Sequence, residues 1–184
     1  QKEYDALFKD PQEPFLSRAL NPYEPGSTWK PVTAMAGMES GKFPPETKLR
    51  TTSCITYGSS CFWDHNNTGF GTIGFADALR FSSNTFFYQV GVGVGSKALK
   101  SAADALGFQQ KTGIEISLGE HVGLVGDESW AAKGRGYASP GTTPCIPEDM
   151  ASASIGQSVV QITPLQLARA YAVFANGGWL VTPH

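Results

Sequence analysis

Long apolar runs are missing from this sequence: nothing in its 184 residues approaches the ~20 consecutive apolar positions that cross a bilayer. The opening QKEYDALFKDPQEPF also lacks the charged-then-apolar order of a signal peptide. Any membrane anchor is therefore expected outside these residues. Charge is sparse too. Aspartate, glutamate, lysine and arginine make up 16% of the chain, fourteen basic against sixteen acidic, with no block of one sign that could track phosphates or an anionic lipid surface. Nucleic acid is accordingly excluded as a partner. Internal repeats and low-complexity tracts are absent, and 41% hydrophobic residues over this length supply one globular core.

Cysteine is scarce and odd in number, three in all, so composition leaves the redox compartment open. Cys54 and Cys61 flank ITYGSS, a segment able to turn back and bring the two sulfurs together, and a disulfide is one reading under oxidising conditions. Zinc is a second. Cys54, Cys61, Asp64 and His65 fall within twelve positions and each can ligate it, although the tight paired spacing of a zinc finger is absent. Three reduced thiols are the third.

Helical signals dominate what is present. TWKPVTAMAGMES carries Val32, Met35, Ala36 and Met38 at helical spacing and stops at Gly41. Proline is tolerated only in a first turn, so Pro31 places the start of this helix close to Ser27. Residues 42 to 72 read as loop, ending in the short helical stretch FADALRF, and a further helix is expected after Asn84. SKALKSAADALGF is amphipathic and closes with Gly107 as a C-terminal stop. GIEISL alternates Ile114, Ile116 and Leu118 as a short strand would. TPLQLARAYAVFANGG has Thr163 as N-cap, Pro164 in the first turn, Gln166 completing a capping box and Asn176-Gly177 as the stop. WLVTPH reads as the start of a strand. Gly91, Gly93 and Gly95 in GVGVGSK suggest a phosphate loop, but Ser96 separates the last glycine from the lysine, so they read as structural glycines.

Chemistry concentrates at Ser27-Thr28-Trp29-Lys30. Sixteen serines and nine lysines make roughly 0.8 S-x-x-K matches expected by chance, so the spacing alone favours a helix-capping serine before a solvated lysine. On a helix, however, positions i and i+3 share a face, which brings the Ser27 hydroxyl and the Lys30 amine within hydrogen-bond reach as nucleophile and base. For Lys30 to act as that base, its pKa must fall from about 10.4 to near 7, at a cost of about 4 to 5 kcal/mol.

The flanks add specificity. YEPGSTWKPVTA resembles the active-site segment of the penicillin-binding proteins, RFSSNTFFYQVG contains Ser82-Ser83-Asn84 in the form of their second motif, and ASIGQSVVQITPLQLARAYAVFANGG resembles the Gly-Gln and helix region of the class B, elongation-type members. The resemblance implies an α+β fold of the penicillin-binding protein and serine β-lactamase-like transpeptidase type, of which residues 1–184 would be mainly the helical part. It implies a D,D-transpeptidase: Lys30 takes the proton of Ser27, Ser82 relays one to the departing D-alanine, and Asn84 hydrogen-bonds the substrate backbone. No cofactor is required. Peptidoglycan stem peptides would be the substrates, β-lactams covalent inhibitors, a membrane glycosyltransferase of the elongation machinery the partner, and the periplasmic face of the inner membrane the location. A β-lactam sensor without turnover is the alternative. A serine β-lactamase is disfavoured because no E-x-x-L-N occurs.

Lys111-Thr112-Gly113 matches the K-T-G third motif of such proteins in composition only. In the family that triplet follows the Gly-Gln and TP-x-Q segments, whereas Lys111 precedes both, and Ile114 stands where a small polar residue is usual. The triplet is therefore expected to be a surface loop. The third-motif strand and the first strands of the sheet are expected outside residues 1–184.

Overall fold

Pro31 decides how the first functional helix begins. In an α-helix its N–H would bond the carbonyl of Ser27; having none, it leaves that carbonyl to Lys30 N–H, and residues Gly26–Trp29 wind as a 3-10 turn before α2 (Lys30–Glu39). The computed structural model describes residues 2–115, 119–127 and 145–184. Within them α1 (Lys2–Phe8) precedes this turn. After α2 come β1 (Lys48–Thr51), β2 (Cys54–Tyr57), β3 (Ser60–Trp63), β4 (Gly71–Gly74), α3 (Phe75–Arg80), α4 (Asn84–Ala105), β5 (Leu124–Val125), α5 (Pro147–Ser154), β6 (Val160–Gln161) and α6 (Pro164–Ala175).

The stretch expected as loop, residues 42 to 72, holds three of these strands and the start of a fourth. β1 pairs antiparallel with β4, Leu49 opposite Ile73, and β2 pairs with β3, Thr56 opposite Cys61. Each strand has four residues and partial burial, too short for a period-2 pattern to stand out. The strand expected in GIEISL is not found where it can be checked: residues 113–115 are irregular, and Ile116 and Leu118 lie outside the described residues. WLVTPH is irregular as well. A strand needs a hydrogen-bonded neighbour, and among the described residues none pairs with 179–184.

The core forms where α2 and α5 pack on α4. Trp29, Val32, Phe86, Phe87, Val90, Leu99, Leu106 and Phe108 are essentially inaccessible to solvent, each large apolar side chain contributing about 1.5–3 kcal/mol by burial. The expected helix at 96–106 is the second half of α4, bent at Gly95, where φ is 78°. The glycine triplet is structural: a Cβ on Gly91 would collide with Ser154 of α5, and Lys42 Nζ donates to the Gly93 carbonyl at 2.8 Å just before the bend. α6 begins as its capping box requires, Thr163 Oγ1 accepting from Gln166 N at 3.1 Å and Gln166 Oε1 from Thr163 N at 3.0 Å.

Candidate active site

Three segments far apart in sequence meet at the start of α2. Ser27, in the 3-10 turn, is exposed; Lys30, one turn on, is 1% exposed. Neighbouring segments hold that turn in place. Gly26 N–H donates to Gly156 O at 2.9 Å, Ser158 N–H to Glu24 Oε1 at 2.9 Å, and Tyr171 Oη of α6 to Thr28 O at 2.9 Å. Gly156 permits this approach, since a Cβ there would lie 2.6 Å from that of Trp29.

Ser82 and Asn84 come from the junction of α3 and α4. Helix α3 ends with Ser82 N–H bonded to Leu79 O and Ser83 N–H to Ala78 O, the pattern in which the residue after the C-cap turns left-handed. Helix α4 ends the same way at Gly107, φ 79°. At the first of these positions the residue is Ser82, with φ 55°, a conformation that costs a side-chain-bearing residue about 1 kcal/mol or more. The strained backbone aims the hydroxyl and carbonyl of Ser82 at Lys30.

The resulting geometry is close. Lys30 Nζ donates to Ser82 O at 2.6 Å, Asn84 Oδ1 at 2.7 Å and Ser82 Oγ at 2.9 Å, and Ser82 Oγ lies 3.0 Å from Ser27 Oγ. The Ser27 hydroxyl and the Lys30 amine are thus joined through the Ser82 hydroxyl, rather than by the direct contact that one-turn spacing suggested. The three acceptors take all three N–H bonds of an ammonium. Burial nevertheless lowers the pKa of Lys30 from 10.5 to about 8, the charge of Asp64 pulling the other way. A substantial minority of Lys30 is then neutral near pH 7.5. Asn84 Nδ2 reaches Trp63 O at 3.3 Å, and Tyr88 Oη reaches the same carbonyl at 3.3 Å. Burial, aided by Asp64, pushes the Tyr88 phenol up to about 12, so it is un-ionised here.

The zinc alternative is taken apart by the fold. Cys54 and Cys61 form a disulfide across the β2–β3 hairpin, their Cα atoms 5.9 Å apart, so neither sulfur is a thiolate ligand. Among the described residues, no three His, Cys, Asp or Glu side chains gather as a metal site. Asp64 is buried and turned to another use. Its Oδ1 accepts from His65 N at 2.7 Å and Asn84 N at 2.8 Å; its Oδ2 accepts from Ser83 Oγ at 2.7 Å, from Thr85 N at 3.0 Å and from Thr85 Oγ1. A carboxylate thereby sits on the N-terminus of a 22-residue helix, where unpaired N–H groups and the helix dipole favour negative charge. Spacing carried no sign of this.

Lys111 stands apart. Its side chain is exposed, and Thr112 is buried with its N–H and hydroxyl both given to Glu120 Oε1, at 2.7 and 2.6 Å. The triplet is a loop with Gly113 at φ 85°, and no hydrogen bond connects it to Ser27, Lys30, Ser82 or Asn84.

The arrangement has close counterparts. Residues 1–184 match the family described as "Penicillin binding protein transpeptidase domain". The chain is 32% identical to peptidoglycan D,D-transpeptidase MrdA of Acinetobacter baumannii, over 100% of this chain and 27% of that protein. It superposes with a TM-score of 0.88 and 30% identity on penicillin-binding protein 2 of Helicobacter pylori, solved in complex with MreC, covering 100% of this chain and 33% of the other. Penicillin-binding protein A of Mycobacterium tuberculosis, solved as a ceftriaxone acyl-enzyme, gives 0.81 and 26%, over 100% and 38%. The chain therefore spans between about a quarter and two fifths of the length of these relatives.

Proposed function

The chain belongs to the penicillin-binding protein transpeptidase domain family, and on that premise we propose that it carries the nucleophile and proton-transfer residues of a peptidoglycan D,D-transpeptidase that β-lactams acylate. The observation that carries this reading is the chain of contacts from Ser27 Oγ through Ser82 Oγ to a buried Lys30. With Lys30 neutral, Ser27 Oγ attacks the carbonyl between the two terminal D-alanines of a stem peptide, and its proton passes through the Ser82 hydroxyl to Nζ. The C–N bond then breaks, and the proton returns through Ser82 to the departing D-alanine amine. An amine of a neighbouring stem peptide resolves the Ser27 ester, regenerating the hydroxyl.

Ser27 N–H, in the first turn of the helix, donates to the oxyanion, while Asn84 orients the substrate backbone. The lysine of the third motif is assigned to a strand other than the Lys111 loop. By the same resemblance the protein works at the periplasmic face of the inner membrane beside a glycosyltransferase of the elongation machinery; among the described residues no helix is long and apolar enough to cross a membrane. Covalent labelling of the full-length protein by a fluorescent penicillin tests the assignment. Ser27→Ala is expected to abolish labelling with the melting curve unchanged, and undiminished labelling removes Ser27 as nucleophile. A β-lactam sensor would label but release no D-alanine from a stem-peptide mimic.

A further inference from the structure

Asp64 lies in none of the motif segments, yet it reaches two of the groups on which the proposed reaction depends. It follows β3 directly, its own N–H bonded to Ser53 O at 2.8 Å, and its carboxylate is 3% exposed. The carboxylate accepts five hydrogen bonds, from three backbone N–H groups and two hydroxyls. Four of these five donors belong to residues 83–85, on either side of and including Asn84. Ser83 Oγ, which donates to Asp64, also accepts from Phe86 N at 3.3 Å, so the first three N–H groups of α4 are satisfied by one carboxylate and one hydroxyl. The place of Asn84, and with it the Oδ1 that holds Lys30 Nζ at 2.7 Å, is set from outside the motif.

We propose that Asp64 is the positioning residue of this site: it locks the first turn of α4 so that Asn84 and Ser82 face Lys30, and it supplies the buried negative charge against which Lys30 gains its proton when Ser27 is activated. The proposal rests on the reading of Ser27 and Lys30 as nucleophile and base. As Nζ takes up the proton of Ser27, a neutral amine becomes an ammonium in a buried position, and an anion linked to it through Asn84 stabilises the product of that step. The same anion also favours the ammonium before substrate arrives. Asp64 therefore trades a smaller neutral fraction of Lys30 for a better-stabilised transition state.

The groups around the pair make it the dominant charge. Lys30 is faced by Ser82 and Asn84 of the α3–α4 junction, with Ser27 reached through the Ser82 hydroxyl, and by the Phe87 ring of α4, whose centroid is 5.8 Å from Nζ. Around Asp64 the titratable neighbours are Tyr88, held un-ionised, and His65, whose backbone N–H binds the carboxylate. The β2–β3 hairpin that delivers Asp64 is tied by the disulfide, with Cys61 only three residues before it.

The test is the pH dependence of acylation of the full-length protein by a fluorescent penicillin, measured for wild type, Asp64→Asn and Asp64→Glu. The asparagine variant loses the charge, and its acid limb is expected to move at least about half a pH unit lower, with acylation at the plateau at least ~10-fold slower. The glutamate variant keeps the charge but stretches the contacts, so its rate falls while its limb stays at the wild-type pH. A uniform loss of rate in Asp64→Asn with the limb unmoved would mean a merely structural carboxylate and overturn the proposal; so would a limb displaced equally in both variants. Should Asp64→Asn fail to fold by circular dichroism, Asp64→Ser takes its place as the neutral variant, and collapse of both neutral variants would overturn it too. Wild-type protein that is never acylated at Ser27 is a separate outcome, one that removes the transpeptidase reading itself.

Discussion

Ser82 is the residue at which backbone and side chain can be separated by experiment. Its φ of 55° occupies the slot that Gly107 fills at the end of α4, so glycine suits the backbone there while alanine does not. Ser82→Ala retains the left-handed strain and removes the hydroxyl contacts to Lys30 Nζ and Ser27 Oγ, at 2.9 and 3.0 Å. Each such contact is worth about 0.5–1.5 kcal/mol. Ser82→Gly loses the same contacts but relieves the backbone of about 1–2 kcal/mol, against about 0.5–1 kcal/mol for the extra freedom of glycine in the unfolded chain. The glycine variant is thus expected to be about 0.5–1 kcal/mol more stable than the alanine variant, a melting difference of roughly 1–4 °C. Activity should not follow stability. Both variants lack the bridge between nucleophile and base, and acylation by a fluorescent penicillin is expected to fall at least ~100-fold in each. A glycine variant less stable than the alanine one would refute the strain argument, and acylation within about threefold of wild type in either would refute the relay.

Lys111→Ala should change acylation by less than about threefold, because a lysine that bound the substrate carboxylate would cost about 1.5–3 kcal/mol, ten- to more than a hundredfold in rate; a loss as large as that of Lys30→Ala would restore the triplet as a functional motif. Alkylation of residues 1–184 without reductant is expected to modify Cys145 alone, and all three cysteines after reduction, as read by mass; modification of Cys54 or Cys61 in the native protein would remove the disulfide. Lys30, with its pKa held at about 8 by burial against an ordinary 10.5, binds its proton less tightly when folded than when unfolded. Between about pH 8 and 10 the unfolded state therefore carries more protons, and stability should rise with pH. Denaturant midpoints measured across that window should flatten in Lys30→Met, and an equally steep rise in the variant would show that another group is responsible.

The features legible in the sequence are those made by neighbours along the chain. A proline in a first turn, a threonine and glutamine three apart at the head of α6 and a glycine after an amphipathic helix each specify geometry within a few residues, and the structure shows each of those local geometries; the serine one turn before a lysine is present too, but its hydroxyl meets the amine only through Ser82. The Ser27 and Ser82-Ser83-Asn84 segments were recognisable for the same reason, as was the misplacement of Lys111, which needed only chain order. The short strands between 42 and 72 were not, because four residues of mixed burial carry too little pattern to outweigh their prolines and glycines.

Contacts between distant segments belonged to the tertiary structure. Ser82 reaches Ser27 across 55 residues and Asp64 reaches Ser83 across 19, and no local spacing reports such meetings. Residue type could not settle them either. A carboxylate beside two cysteines and a histidine is equally suited to zinc and to the N–H groups of a helix terminus, since its lone pairs can coordinate a cation or accept hydrogen bonds from partly positive N–H groups. Which of them Asp64 meets depended on the packing of the hairpin against α4: the disulfide took the sulfurs, and five donors, four of them from residues 83–85, converged on the carboxylate.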